Sequence, residues 1–176
     1  MIKKHWTRTS KLLLLDKEKE WKQYPVIRFD MSSGKYYEKE RLHSTINNIL
    51  QDYEQRWNVA KNDDAFAYDV RLTNIIRSAY EQTAKGVVVL VDEYDAPMLD
   101  SINKQELQDF MRQRVRNLFS PLKAQSQYLR FVFLTGISKF SQLSVFSELN
   151  NLQQMTFDPN YEAICGITEE ELLTDL

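Results

Sequence analysis

Five consecutive apolar residues, Val87 to Val91, run straight into Asp92, Glu93 and Asp95 in the stretch GVVVLVDEYDAPMLD. Four of the five are β-branched, and a run this short and this uniformly apolar fits a strand covered on both faces, the habit of parallel sheets in α/β proteins. Open parallel sheets present their ligands at the carboxyl ends of the strands. The acids therefore fall where chemistry would be done. An Asp in that position suits Mg²⁺, often through water, and a Glu beside it suits a group that orients or deprotonates an attacking water. Because successive side chains diverge at a strand's end, Asp92 and Glu93 can hold different tasks. Acids after a strand also cap helices and decorate solvated turns, and Asp95-Ala96-Pro97 has the composition of a turn in its own right.

Hydrophobic spacing around this strand alternates between two periods. Tyr24 to Met31 reads as a short strand with Pro25 at its start, where a missing N–H is tolerated. Glu38 to Ala60 carries Leu42, Ile46, Ile49, Leu50, Tyr53 and Trp57 at helical spacing. A polar turn at Lys61 to Asp64 leads to a second helical pattern over Ala65 to Lys85, through Val70, Leu72, Ile75, Ile76, Ala79 and Tyr80, with Gly86 placed as its C-terminal stop. Lys104 to Gln125 supplies a third helix, kinked near its end by Pro121. Tyr128 to Thr135 forms a second core strand, ended by Gly136. Beyond it, a short strand at Gln154 to Asp158 and a helix after Thr168, opened by a Thr168/Glu171 capping box, are expected. The order strand, two helices, strand, helix, strand points to an α/β layered domain with a mainly parallel sheet.

At 176 residues and 43% apolar, the chain can bury one sizeable core, so one domain is expected. Residues 1–23 read as an irregular or helical lead-in and residues 24–176 as the domain. A net charge of −2 does not point to nucleic acid or to an anionic membrane. No apolar stretch approaches membrane-spanning length, and four leucines at Leu12 to Leu15 are too few for a signal peptide. The single cysteine, Cys165, excludes an internal disulfide and suits a reducing compartment, and the cytoplasm is the expected location.

In order and spacing, YPVIRFDMS, VVVLVDEYDAPM, FVFLTGISKFS and SELNNLQQMTFDPNYEAICGITEEEL resemble the AAA-ATPase-like family of P-loop NTPases, whose longer members carry a C-terminal region resembling PD-(D/E)XK nucleases. The resemblance runs from about Trp21 to Leu172. It implies a three-layer P-loop NTPase-like core and binding of Mg²⁺ and ATP. It also implies Asp92 as the metal aspartate, Glu93 as the catalytic glutamate and Thr135 as the sensor. Lys139, just beyond Thr135, has the charge to meet a phosphate, although an exposed lysine is the usual default.

One part of the family pattern is missing. No G-x-x-x-x-G-K-[ST] occurs, and the four glycines stand at 34, 86, 136 and 166. Ser32-Ser33-Gly34-Lys35-Tyr36 is the nearest imitation, with Phe29 where the first glycine belongs and Tyr36 where the Mg²⁺ hydroxyl belongs. The expectation is a chain truncated before its first strand and phosphate loop. Such a chain leaves the Tyr128 to Thr135 strand with an unpaired edge that invites self-association or a protein partner. Two functions follow: an Mg²⁺-dependent ATPase domain with impaired turnover, or a non-catalytic interaction module that keeps the fold. A metal-dependent nuclease built on Asp92, Glu93 and Asp95 is a third, disfavoured because no Glu-x-Lys follows these acids at the spacing such sites use.

Overall fold

The computed structural model describes residues 22–137 together with residues 152, 153, 155, 158 and 173. Three strands form its sheet: β1 (Val26–Asp30), β2 (Val87–Asp92) and β3 (Leu129–Leu134). They lie in the order β1-β2-β3, and both pairings are parallel. Parallel neighbours require long crossovers. Helices α1 (Lys39–Arg56) and α2 (Tyr68–Thr83) make the first crossover. The second runs through α3 (Ala96–Asp100), α4 (Gln105–Phe119), α5 (Pro121–Ala124) and a 3₁₀ turn at Ser126–Tyr128. No helix among the described residues is long and apolar enough to cross a membrane.

Strand side chains alternate between faces, and burial follows that alternation. Ile27 and Phe29 of β1 and Val87, Val89 and Val91 of β2 are buried, in one cluster with Ile75, Ile76 and Ala79 of α2 and Met111, Val115, Leu118 and Phe119 of α4. Phe29 meets the Phe119 ring edge-on, 5.3 Å between centroids, the geometry favoured by the ring quadrupoles. The other face is not equally covered, contrary to the expectation from the apolar run. Val26 is 37% and Phe131 52% exposed, and Val88, Leu90 and Phe133 are half-buried. Phe131 and Phe133 run nearly parallel on that face, 6.1 Å apart.

The two outer edges of the sheet differ as well. At β1, the outward N–H of Arg28 donates to Tyr53 Oη of α1 at 2.7 Å. The edge of β3 away from β2 has no strand partner among the described residues, in line with the open edge expected from the sequence.

Several boundaries depart from the spacing. Helix α2 ends on Ala84, which takes the left-handed cap at φ 52° and donates its N–H to the Tyr80 carbonyl. Gly86 serves a different purpose: a Cβ there would lie 2.9 Å from Arg130 Cβ and 3.0 Å from its backbone nitrogen, so glycine allows β3 to approach where the β2–β3 register shifts. Pro121 separates α4 from α5 instead of kinking one helix. Asp95-Ala96-Pro97 leads into α3 with proline in its first turn, where no N–H is needed. Val70 points to solvent while its neighbour Arg71 is buried. Arg71 makes a bidentate pair with Glu54, at 2.6 Å from Nε and 2.9 Å from Nη2, and its Nη1 donates to Asn47 Oδ1 and the Ala65 carbonyl. In the segment expected as a last strand, the described residues Met155 and Asp158 are not in a strand, and Asp158 N–H donates to the Met155 carbonyl at 3.1 Å. Of the helix expected after Thr168, the described residue Leu173 is helical, whereas Thr168, Glu171, Cys165 and Leu12 to Leu15 lie outside the described residues.

Candidate active site at the carboxyl end of the sheet

Three parallel strands end side by side, so their last residues converge on one rim. Asp92 closes β2 directly opposite Asp30 of β1, and Thr135 follows the last residue of β3. Thr135 is fastened to β2 by its backbone: its N–H donates to the Val91 carbonyl at 2.8 Å, and its carbonyl accepts from Tyr94 N–H at 3.0 Å. Its hydroxyl is thereby set between the two acids that the sequence singles out. Thr135 Oγ1 donates to Asp92 Oδ1 at 2.6 Å and accepts from the backbone N–H of Glu93 at 3.3 Å.

Glu93 has φ 51°, in the left-handed region, where a non-glycine residue is uncommon and strain of this kind concentrates at functional sites. Its side chain is exposed. The turn separates it from its neighbours, since Tyr94 and Asp95 go inward and are 3% and 1% exposed. Burial, and secondarily the charge of Asp95, pushes the Tyr94 hydroxyl up to about 12, so it stays protonated at neutral pH. Gly136 is required by the same inward turn, because a Cβ there would come within 2.6 Å of the Tyr94 ring and 2.7 Å of Asp95 Oδ1. Asp95 is thus buried against Gly136 while the Glu93 side chain is exposed. Among the described residues no three acids, histidines or cysteines converge as a metal cage, which leaves the three-acid nuclease site without geometric support.

Sequence reasoning missed a cation here. Arg28 Nη2 reaches Asp30 Oδ2 at 3.1 Å and Asp92 Oδ2 at 3.3 Å. Its signal was the alternation in β1, which sends Arg28 and Asp30 to one face and Ile27 and Phe29 to the other. Asp30 is held in turn by Ser32, whose N–H and Oγ both donate to Asp30 Oδ1, at 3.1 and 2.5 Å.

Magnesium, a hard cation, is commonly held by one or two carboxylates while it keeps several waters, and the rim offers the Asp92 carboxylate, oriented by the Thr135 hydroxyl, beside the exposed side chain of Glu93. The loop after β1 does not fit a phosphate. Tyr36 folds back over it, donating its hydroxyl to the Met31 carbonyl at 2.9 Å while its N–H donates to Asp100 Oδ2 at 2.8 Å. A Cβ on Gly34 would fall 2.2 Å from the Tyr36 ring. The space a phosphate cradle would need is filled by an aromatic side chain. Lys139 lies outside the described residues.

A mainly parallel sheet flanked by helices is consistent with a P-loop NTPase-like core. The family model described as "Predicted AAA-ATPase" matches residues 4–146, and the chain belongs to this AAA-ATPase-like family. It is also similar to a protein of Azotobacter chroococcum mcd 1 described as "Uncharacterized protein in vnfD 5'region", with 36% identity over 154 residues. That alignment covers 87% of this chain and 30% of the relative, so the chain spans about a third of the relative's length. No solved structure matches.

Proposed function

We propose that the rim formed by Asp92, Glu93 and Thr135 is the metal- and water-handling half of an Mg²⁺-dependent ATPase site. The observation that carries this reading is the double role of the Thr135 hydroxyl, which orients Asp92 through Oδ1 and holds the Glu93 backbone at the left-handed turn. When bound, Mg²⁺ would neutralise charge that develops on the phosphate groups. Asp92 would hold that ion through its carboxylate. Glu93, exposed at the rim, would accept the proton of the attacking water, and Thr135 would keep the two acids at a constant separation while sensing the phosphate end. Lys139, four residues beyond Thr135 in the sequence, is proposed as a further phosphate contact.

Hydrolysis also needs backbone N–H groups and a lysine around the β and γ phosphates. The 176 residues contain no G-x-x-x-x-G-K-[ST] to supply them. The expected behaviour is therefore weak Mg-ATP binding and negligible turnover unless a phosphate loop is provided. Thermal unfolding with and without saturating Mg-ATP tests this: a ligand at 100 times its Kd stabilises by about 2.7 kcal/mol, and Asp92→Ala is expected to abolish whatever shift is seen. A flat response in the wild-type chain would sink the nucleotide reading.

A second reading, a protein-interaction module, is favoured by a separate observation. The edge of β3 that has no strand partner among the described residues, and the exposed Phe131 beside it, offer backbone hydrogen bonds and apolar surface together, the combination used when a partner adds a strand to a sheet. Concentration-dependent sedimentation that Phe131→Glu suppresses would support it.

A further inference from the structure

We propose that Arg28 is an internal counter-ion of Asp92 which a divalent cation must displace. This rests on Asp92 being the metal aspartate. The two carboxylates on neighbouring strands have matching surroundings. Each has its Oδ1 fixed by a hydroxyl, Ser32 for Asp30 and Thr135 for Asp92. Each has its Oδ2 turned toward the same guanidinium nitrogen of Arg28. Parallel pairing sets Asp30 and Asp92 opposite each other, and like charges at that separation repel. Arg28 offsets that repulsion, and it does so on the oxygen of Asp92 that Thr135 leaves open.

The guanidinium is well placed to compete without being locked. Its backbone is anchored, since Arg28 N–H is held by Tyr53 Oη of α1. Its side chain is about half exposed, and so are the carboxylates, so water and salt weaken the pairs and the long side chain can leave at little cost. A cation approaching Asp92 Oδ2 meets a positive charge a few ångströms away. For a divalent ion about 5 Å from a unit charge in a water-like dielectric, Coulomb's law gives a penalty equivalent to about a tenfold loss of affinity. Arg28 thus lowers divalent affinity while keeping Asp92 and Asp30 paired and in place.

Mn²⁺ binding to the intact chain, followed by the loss of the free-ion paramagnetic resonance signal at low salt, tests the proposal without reference to turnover. Arg28→Gln is expected to tighten Mn²⁺ about five- to tenfold, Arg28→Lys to stay within about twofold of the wild type, and Asp92→Asn to remove the tightened binding from the Arg28→Gln background. Unchanged or weaker binding in Arg28→Gln, with Asp92→Asn still abolishing wild-type binding, would overturn the counter-ion role and leave the assignment of Asp92 standing. Binding indifferent to Asp92→Asn in both backgrounds would remove that assignment and the counter-ion role with it. Arg28 being exposed, circular dichroism of the variants is expected to match the wild type, and the Lys variant guards against a folding artefact in the Gln one.

Discussion

Two arginine–carboxylate clusters in this molecule use the same chemistry in opposite environments. Arg71 and Glu54, 3% and 5% exposed, meet bidentately between α1 and α2, and Arg71 Nη1 donates to Asn47 and a backbone carbonyl. Arg28 meets Asp30 and Asp92 on the open rim through a single nitrogen. A buried pair cannot exchange its partner, because removing one ion strands the other in a medium that solvates it poorly. An exposed pair can, because water stands in for whichever partner leaves. The first cluster therefore joins helices, and the second stays open to solvent.

The largest expected effect breaks the first cluster. Glu54→Ala should cost about 3–5 kcal/mol in urea unfolding, the usual result of leaving a buried charge uncompensated. Replacing both partners, Glu54→Leu with Arg71→Met, should recover most of that loss. A single mutant within about 1 kcal/mol of wild type would show that water reaches the pair. At the rim, Thr135→Val should cost about 1 kcal/mol, since it removes the donor to Asp92 and the acceptor for the Glu93 N–H, and Thr135→Ser should restore it. Smaller still is the effect of Arg28→Gln on stability, expected within about 1 kcal/mol. A larger loss would mean the rim behaves as the buried cluster does.

The smallest effect is a pH slope. His43 packs on Phe66 with ring centroids 4.0 Å apart, and its Nδ1 pairs with Tyr68 Oη at 2.7 Å. Burial first, and then the charges of Arg71 and Arg114, hold its pKa below the ordinary 6.5. As pH falls through about 6.5 the unfolded chain takes up that proton before the folded one does. Stability contributed by neutral His43 is therefore complete above that pH and is lost as pH drops toward the folded pKa. Urea midpoints from pH 7.5 to 5 should fall less steeply in His43→Gln than in the wild type, and equal slopes would refute the assignment.

Much of the sheet was legible because its signals are local. An apolar run bounded by glycine and acids specifies β2, and the Thr135-Gly136 end of β3 was visible for the same reason. The rim cluster was half legible. Asp92, Glu93 and Thr135 announce themselves at strand ends, but Arg28 is recognisable only once β1 is known to pair with β2 in the register that brings Asp30 against Asp92. Glu54 and Arg71 were hidden for a related reason. Glu54 follows Leu50 by four residues and so continues the apolar stripe of α1, a position where a charge is informative only if its partner on another helix is known. The cap at Ala84 was missed because Gly86, two residues on, is the better residue for a left-handed turn, while the chain needs that glycine for clearance against Arg130. The uneven cover of the sheet was masked by composition, since valine and phenylalanine are written alike on either face.

Thr135 also makes the rim a gauge of strand alignment. Its backbone is bracketed by Val91 and Tyr94, and its hydroxyl reaches both acids only in that alignment. A slip of β3 by one residue would present Leu134 or Gly136 instead, neither with an oxygen to offer, and would turn every neighbouring side chain to the other face. A chain that closes its core with the wrong offset thus forms a sheet without the Thr135 bonds to Asp92 and the Glu93 backbone, and those bonds report that the third strand has docked in true.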